Sequence, residues 1–229
     1  VEYTSLALDS SGNPVVAYKD GSNGNKATVM RYNGTSWVNV GNVGFSVECA
    51  SDISLALDGS GNPVVAYSDS SQDSKATVMR YTGTSWVNVG SAGFSAGSVW
   101  YTSLALDGSG NPVVAYKDGG NGYKANVMRY NGTSWVNVGN AGFSAGHASY
   151  TSLALDGSGN PFVAYQDYGN GYKATVMRYN GTSWVTVGNA GFSAGSAWYT
   201  SLALDGGGKP VVACRDAFAY PFVVRKFYE

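Results

Sequence analysis

Tyr101-Thr102-Ser103-Leu104-Ala105-Leu106-Asp107-Gly108-Ser109-Gly110-Asn111-Pro112-Val113-Val114-Ala115-Tyr116 reads as a strand, a turn and a second strand. Leu104 and Leu106 alternate with Ser103 and Ala105, the period of a strand with one apolar face. Gly108 to Pro112 carries turn chemistry. Pro112 opens the second run where no ladder donor is needed. Val113-Val114-Ala115-Tyr116 is apolar without alternation, as in a strand buried on both faces. Outward from this unit, 118–123 is a Gly/Asn loop and 124–130 a third strand. Asn131-Gly132 is a strong hairpin signal. A fourth strand over 134–138 carries Trp135, and a long connection follows over 139–149. We call these strands A to D.

The unit recurs. Ser-Leu-Ala-Leu-Asp begins at Ser5, Ser54, Ser103, Ser152 and Ser201, a spacing of 49 residues each time, and 101–149 differs from 150–198 at only seven positions. A fixed period of this size signals a solenoid, a propeller or an array. Four antiparallel strands per period make the blade of a β-propeller. The expected fold is therefore all-β: a five-bladed β-propeller of four-stranded antiparallel blades, the last with three strands. It forms a single domain over 1–229, with repeats at about 1–49, 50–98, 99–147, 148–196 and 197–229. Met30, Met79, Met128 and Met177 share one repeat position, and Phe45, Phe94, Phe143 and Phe192 another; both columns read as core between blades. In the last repeat, Val224-Arg225-Lys226-Phe227 degrades the usual Val-Met-Arg-Tyr, Tyr220-Pro221-Phe222 replaces Gly-Tyr-Lys, and no strand D follows. Strand C of blade 5 should then be an open edge, which invites pairing with another chain. A closed five-bladed monomer is expected, a fragment of a larger ring being the alternative.

Leu-Ala-Leu-Asp-Gly-Ser-Gly-Asn-Pro-Val-Val-Ala-Tyr resembles the strand A–turn–strand B unit of NHL-type propellers. The Tyr-Asn-Gly-Thr-Ser-Trp hairpin is similar to the Asp-box hairpin of sialidase-like propellers, with Tyr32, Tyr81, Tyr130 and Tyr179 where that motif has Asp. Repeats of this kind resemble those of secreted bacterial multi-repeat proteins. The resemblance implies fold and leaves function open, since propellers host lectins, glycosidases, adhesins and scaffolds.

With 14 basic and 15 acidic side chains the net charge is −1, and no basic patch is available for a phosphate backbone, so nucleic acid is not an expected partner. No apolar run reaches the length of a membrane-spanning helix. Low charge, 32 glycines and abundant Ser, Thr, Asn and Tyr suit a secreted β protein, and Val1 reads as the start of a mature fragment or excised domain. Cys49 and Cys214 occupy unrelated repeat positions and define neither a disulfide framework nor a metal site. No cofactor is expected.

In such a blade the A–B and C–D turns share one rim, and the B–C and D–A loops share the other. The first rim is nearly invariant along the chain. The second holds the long loops and much of the variation, in the columns Glu2/Ser51/Trp100/Ser149/Trp198, Lys19/Ser68/Lys117/Gln166/Arg215, Gly21/Ser70/Gly119/Tyr168 and Asn25/Ser74/Tyr123/Tyr172. Loops on a rigid scaffold are where binding residues usually sit. Trp100 and Trp198 read as loop residues able to stack on a sugar face or fill a partner's pocket, and Tyr123, Tyr168 and Tyr172 are further ligand-binding candidates. Asp118 and Asp167, closing strand B at this rim, are candidates for ligand contact as well as turn residues. Asp9, Asp58, Asp107, Asp156 and Asp205 read as turn caps.

Catalysis is not expected. A glycoside hydrolase needs two nearby carboxylates in different environments, and the glutamates are only Glu2, Glu48 and Glu229. Arg31, Arg80, Arg129 and Arg178 repeat from blade to blade and radiate apart, and His147 is the sole histidine. The expected function is non-catalytic binding of carbohydrate or cell-surface ligands at the B–C/D–A rim. The alternative is a structural or protein-interaction module, as an adhesin segment or a recently amplified or engineered array.

Overall fold

The computed structural model describes residues 1–218 and 222–228. The strands form five antiparallel sheets, four of four strands and one of three. Blade 1 contains β1 (Glu2–Leu8), β2 (Pro14–Asp20), β3 (Lys26–Tyr32) and β4 (Trp37–Asn39); blade 2 contains β5 (Ala50–Leu57), β6 (Pro63–Asp69), β7 (Lys75–Tyr81) and β8 (Trp86–Asn88). Blade 3 contains β9 (Val99–Leu106), β10 (Pro112–Asp118), β11 (Lys124–Tyr130) and β12 (Trp135–Asn137). Blade 4 contains β13 (Ala148–Leu155), β14 (Pro161–Asp167), β15 (Lys173–Tyr179) and β16 (Trp184–Thr186), and blade 5 contains β17 (Ala197–Leu204), β18 (Pro210–Asp216) and β19 (Val223–Lys226). Strand A of each blade packs on strand A of the next, so A is innermost. The expected all-β, five-bladed architecture with a three-stranded last blade is the one observed. The replacement Tyr220-Pro221-Phe222 in the last B–C loop falls largely outside the described residues.

Strand B is the centre of each blade. Every residue of β6 and β14 is buried, which explains the unbroken apolar run. Between blades 1 and 2, Val15, Ala17, Ala27, Val29 and Val40 of one blade meet Leu55, Val65, Tyr67, Met79 and Trp86 of the next. The same residue types meet between blades 2 and 3 and between blades 3 and 4. Burial pushes the phenols of Tyr67, Tyr116 and Tyr165 well above their ordinary range. Met79, Met128 and Met177 and the phenylalanine column lie against these clusters, Phe45 flat on Trp86 and Phe143 flat on Trp184, centroids 3.8 Å apart in both.

Polar links stitch neighbouring blades together. The Ser5 hydroxyl accepts the Leu55 amide at 3.0 Å, and Ser54, Ser103 and Ser152 repeat the bond to Leu104, Leu153 and Leu202. Trp86 Nε1 donates to the Val40 carbonyl of the previous blade, as do Trp135 to Val89 and Trp184 to Val138. The guanidinium groups of Arg31, Arg80 and Arg129 reach across to the carbonyls of Gly61, Gly110 and Gly159. On the invariant rim, Asp107 Oδ1 accepts the amides of Ser109 and Asn111, and the other four aspartates of that column do the same.

Ring closure differs from expectation. Leu6 of blade 1 is 63% exposed, whereas Leu55, Leu104, Leu153 and Leu202 at the same repeat position are 7–8% exposed. Blade 5 therefore does not cover blade 1 as each blade covers its neighbour. Among the described residues the sheet of blade 5 has three strands, and Phe222 stands where Ala27 stands in blade 1.

Candidate functional site

Strand A begins earlier than the alternation suggests. Ser103 pairs with Ala115 and Trp100 with Lys117, so Tyr101 and Thr102 together oppose Tyr116 in a β-bulge. Tyr101 takes a left-handed φ of 55°, and Tyr3, Asp52, Tyr150 and Tyr199 do likewise at the same position of the other blades. The bulges interlock: Thr102, Thr151 and Thr200 donate to the carbonyls of Asp52, Tyr101 and Tyr150 of the preceding blade. Tyr101, Tyr150 and Tyr199 form a row around the axis, with successive ring centroids 4.8 and 5.0 Å apart. In blade 2 the position is Asp52, whose Oδ1 accepts the Tyr101 amide at 2.7 Å and whose carboxyl is raised by burial.

This corrects the placement of two candidates. Trp100 and Trp198 are strand residues, the second positions of β9 and β17, paired with Lys117 and Arg215. Pairing resumes beyond the bulge, which the broken alternation concealed. The two most variable columns of the rim are thus cross-strand partners in every blade: Glu2 with Lys19, Ser51 with Ser68, Trp100 with Lys117, Ser149 with Gln166 and Trp198 with Arg215. Each pair is chemically matched. Glu2 and Lys19 make a 3.1 Å ion pair that raises the Lys19 ammonium. Lys117 and Arg215 lie over the indoles of Trp100 and Trp198, at 6.0 and 5.2 Å from the ring centroid.

Four nominated aromatics come together across blades 3 and 4. Trp100 contacts Tyr123, Tyr123 contacts His147, His147 contacts Tyr168 and Tyr168 contacts Tyr172, with centroid separations of 4.4–5.7 Å. Lys117 Nζ lies 5.5 Å from the Tyr123 ring and 5.7 Å from Tyr168, and donates to the Ser149 hydroxyl. Trp100, Tyr123, Tyr168 and Tyr172 are all exposed. The result is a ribbon of rings around one ammonium group, open to solvent. Trp198 is not part of it; it forms a separate pair with Arg215, beside a loop whose residues 219–221 lie outside those described.

Asp118 and Asp167 are buried turn caps and do not lie on the rim surface where they were expected. Asp118 is fully buried; its Oδ1 accepts the amides of Gly120 and Gly97, and its Oδ2 accepts the side-chain amides of Asn121 and Asn126. Asp167 is 1% exposed and bonds the Gly169 amide, Asn170 and Thr175. Both carboxylates cap the single 3₁₀ turn that follows strand B, Gly119–Asn121 and Tyr168–Asn170. The D–A loop lies directly against that turn. A Cβ on Gly97 would sit 2.3 Å from the Gly120 nitrogen, and one on Gly146 would sit 2.5 Å from the Gly169 nitrogen. In blade 2 the matching pair is Glu48 and Ser71. There the Ser71 hydroxyl binds Asp69 at 2.7 Å.

Sequence reading missed Lys117, His147 and Ser149 as members of the ribbon. Lys117 and Ser149 stood in variable columns, and the matched chemistry of paired columns was the signal that would have joined them to Trp100. On the opposite rim a groove of about 580 Å³ opens between the A–B turns of blades 4 and 5, lined by Asp156, Phe162, Arg178 and Lys209 among others. Five of its lining residues are glycines. Among the described residues no helix is long and apolar enough to cross a membrane, and no group of three or more His, Cys, Asp or Glu stands ready to hold a metal ion.

No protein-family model matches the sequence, and no curated protein matches it. Solved structures do share the fold. A mutant of the Aleuria aurantia lectin in complex with Fucα1-6GlcNAc superposes with a TM-score of 0.64 at 14% identity, over 99% of this chain and 78% of the lectin. A protein of unknown function from Dyadobacter fermentans gives 0.58 at 13%, over 96% and 74%. An endo-1,4-beta-xylanase from Bacteroides thetaiotaomicron gives 0.56 at 10%, over 100% and 90%. At these identities the likeness is one of fold, and it makes the chain propeller-type.

Proposed function

We propose that this protein is a non-catalytic carbohydrate-binding propeller whose principal site is the aromatic ribbon on the B–C/D–A rim. The observation that carries the reading is the meeting of Trp100, Tyr123, His147, Tyr168 and Tyr172 around Lys117. Flat exposed rings offer their faces to the C–H side of a pyranose, while the Lys117 ammonium and Ser149 hydroxyl supply polar contacts to its oxygens. The Trp198–Arg215 pair gives a second, smaller platform in blade 5. Two weak platforms on one rim gain avidity on a glycan-bearing surface, by about 10²–10⁴-fold when both engage. A binder is favoured over a hydrolase because Asp118 and Asp167, the carboxylates closing strand B beside the ribbon, are buried and already hydrogen-bonded. The fold relatives include a lectin with a bound sugar, which agrees with the reading at the level of architecture alone. We place the protein outside the cell, in keeping with its low charge and its Gly-, Ser- and Tyr-rich composition.

The test is a glycan array on the intact chain, followed by titration of the best sugar. Trp100→Ala combined with Tyr168→Ala is expected to weaken binding by about tenfold or more, equivalent to ~1.4 kcal/mol. Thermal unfolding should be unchanged. Equal binding by the double variant, or a blank array with folded protein, overturns the proposal.

A further inference from the structure

One cross-strand pair, compared between blades, shows what the Lys117 ammonium lacks. In blade 1 the pair is Glu2 and Lys19, a carboxylate and an ammonium 3.1 Å apart. Blade 3 keeps the lysine and replaces the acid: Trp100 stands opposite Lys117. The lysine gains a flat apolar neighbour and loses its counter-ion. Blade 5 makes the same exchange with Trp198 opposite Arg215, whereas blades 2 and 4 have serine in the acid's place and no cation across from it. Among the described residues Lys117 makes no ion pair. Its Nζ has the Ser149 hydroxyl at 3.5 Å and the rings of Tyr123, Tyr168 and Trp100 at 5.5, 5.7 and 6.0 Å. Blades 3 and 4 offer no carboxylate for the vacant role. Their acids are Asp107, Asp118, Asp156 and Asp167. Asp107 and Asp156 hold turns on the opposite rim, and Asp118 and Asp167 are buried under turns of their own. An ammonium carries three donors, and an oxyanion accepts them more strongly than a hydroxyl does.

We propose that the ligand of the aromatic ribbon is an acidic sugar, a pyranose whose carboxylate pairs with Lys117 while its ring lies on Trp100. The ligand then supplies in blade 3 what Glu2 supplies in blade 1. This inference rests on the carbohydrate reading above and narrows it to one chemical class. The indole and the ammonium act on different parts of one sugar: the ring face takes the C–H surface, and the ammonium takes the charged substituent at its edge. Half-buried beside three rings, Lys117 is less screened than a cation standing free in water. A neutral sugar would leave the ammonium as it is in the empty site.

The test is an array on which neutral, carboxylated and O-sulfated glycans are matched on common backbones, probed with the full chain and with Lys117→Gln and Lys117→Arg. Glutamine is the natural residue at this position in blade 4, so the fold accommodates it. Carboxylated glycans are expected to bind the wild type about fivefold or more tightly than their neutral partners. That preference should fade between about 0.01 M and 1 M salt, as the Debye length falls from about 30 to 3 Å. Lys117→Gln should bind both members of a pair equally, and Lys117→Arg should restore the preference. Neutral glycans bound as well as acidic ones, with affinity lost in Trp100→Ala, overturn the acidic-sugar assignment and leave the carbohydrate reading standing. A preference that survives in Lys117→Gln overturns it too, and so do hits confined to sulfated glycans. A blank array with folded protein overturns both readings.

Discussion

The indole of Trp135 lies on the ring of Phe94 with centroids 3.8 Å apart and planes 7° from parallel, although the two residues belong to successive blades. Phe94 comes from the D–A loop behind blade 2 and Trp135 opens strand D of blade 3, so the outer edge of each interface is an aromatic clasp. Phe192, the last of its column, has no tryptophan to meet and makes an edge-on contact with Phe227 at 5.2 Å.

Removing the clasp should therefore cost different amounts at different repeats. Phe94→Ala loses apolar burial and the stacked pair and is expected to destabilise the protein by about 3 kcal/mol. Phe192→Ala should cost less. Urea unfolding followed by tryptophan fluorescence measures both, and equal losses would show that the stacked geometry adds nothing.

Asp118 holds the B–C turn and the preceding D–A loop to the same carboxylate. Asp118→Ala strands the amides of Gly97 and Gly120 and the side-chain donors of Asn121 and Asn126, and is expected to cost roughly 3 kcal/mol. Hydrogen exchange should speed up at Gly97 and Gly120 together. Loss of sugar affinity with unchanged exchange would instead return Asp118 to the binding site.

Asp52 makes stability pH-dependent in an unusual direction. Its carboxyl is raised by burial, with the Tyr101 amide opposing that effect. The folded state thus holds the proton more tightly than the unfolded chain, and the group opposes folding increasingly as pH rises through its folded pKa. Asp52→Asn keeps an acceptor for the Tyr101 amide, and Asn tolerates the left-handed φ of 49° at this position. The variant is expected to melt above wild type at pH 7, the difference shrinking as pH falls through the ordinary carboxylate range. A pH-independent difference would remove the carboxyl from the account.

The architecture was legible because strand period, turn residues and repeat length all agreed. The 49-residue spacing set the blades, the unbroken apolar run of strand B announced burial on both faces, and Asn-Gly located the outer hairpin. The bulge was not legible. A left-handed tyrosine carries no compositional mark, and the strand before it was read as loop, which displaced Trp100 and Trp198. The aromatic candidates were found because they depart from an otherwise constant repeat. Their convergence was not, since it depends on neighbouring blades bringing Tyr123 and Tyr168 to either side of His147. Asp118 and Asp167 were misjudged for the opposite reason: a rim position suggested solvent, but the apposed glycines Gly97 and Gly120 let a loop close over the carboxylate.

The recurring hydrogen bonds between blades join residues a constant distance apart in the chain: Ser to Leu amide at 50, Trp to Val carbonyl at 46, Arg to Gly carbonyl at 30. A duplicated repeat is therefore born compatible with its parent, needing no compensating mutation on either side. Blade number in such a lineage is free to change in whole steps by unequal recombination, while the exposed cross-strand pairs at the rim drift independently. That separates the inheritance of shape from the inheritance of taste for a ligand.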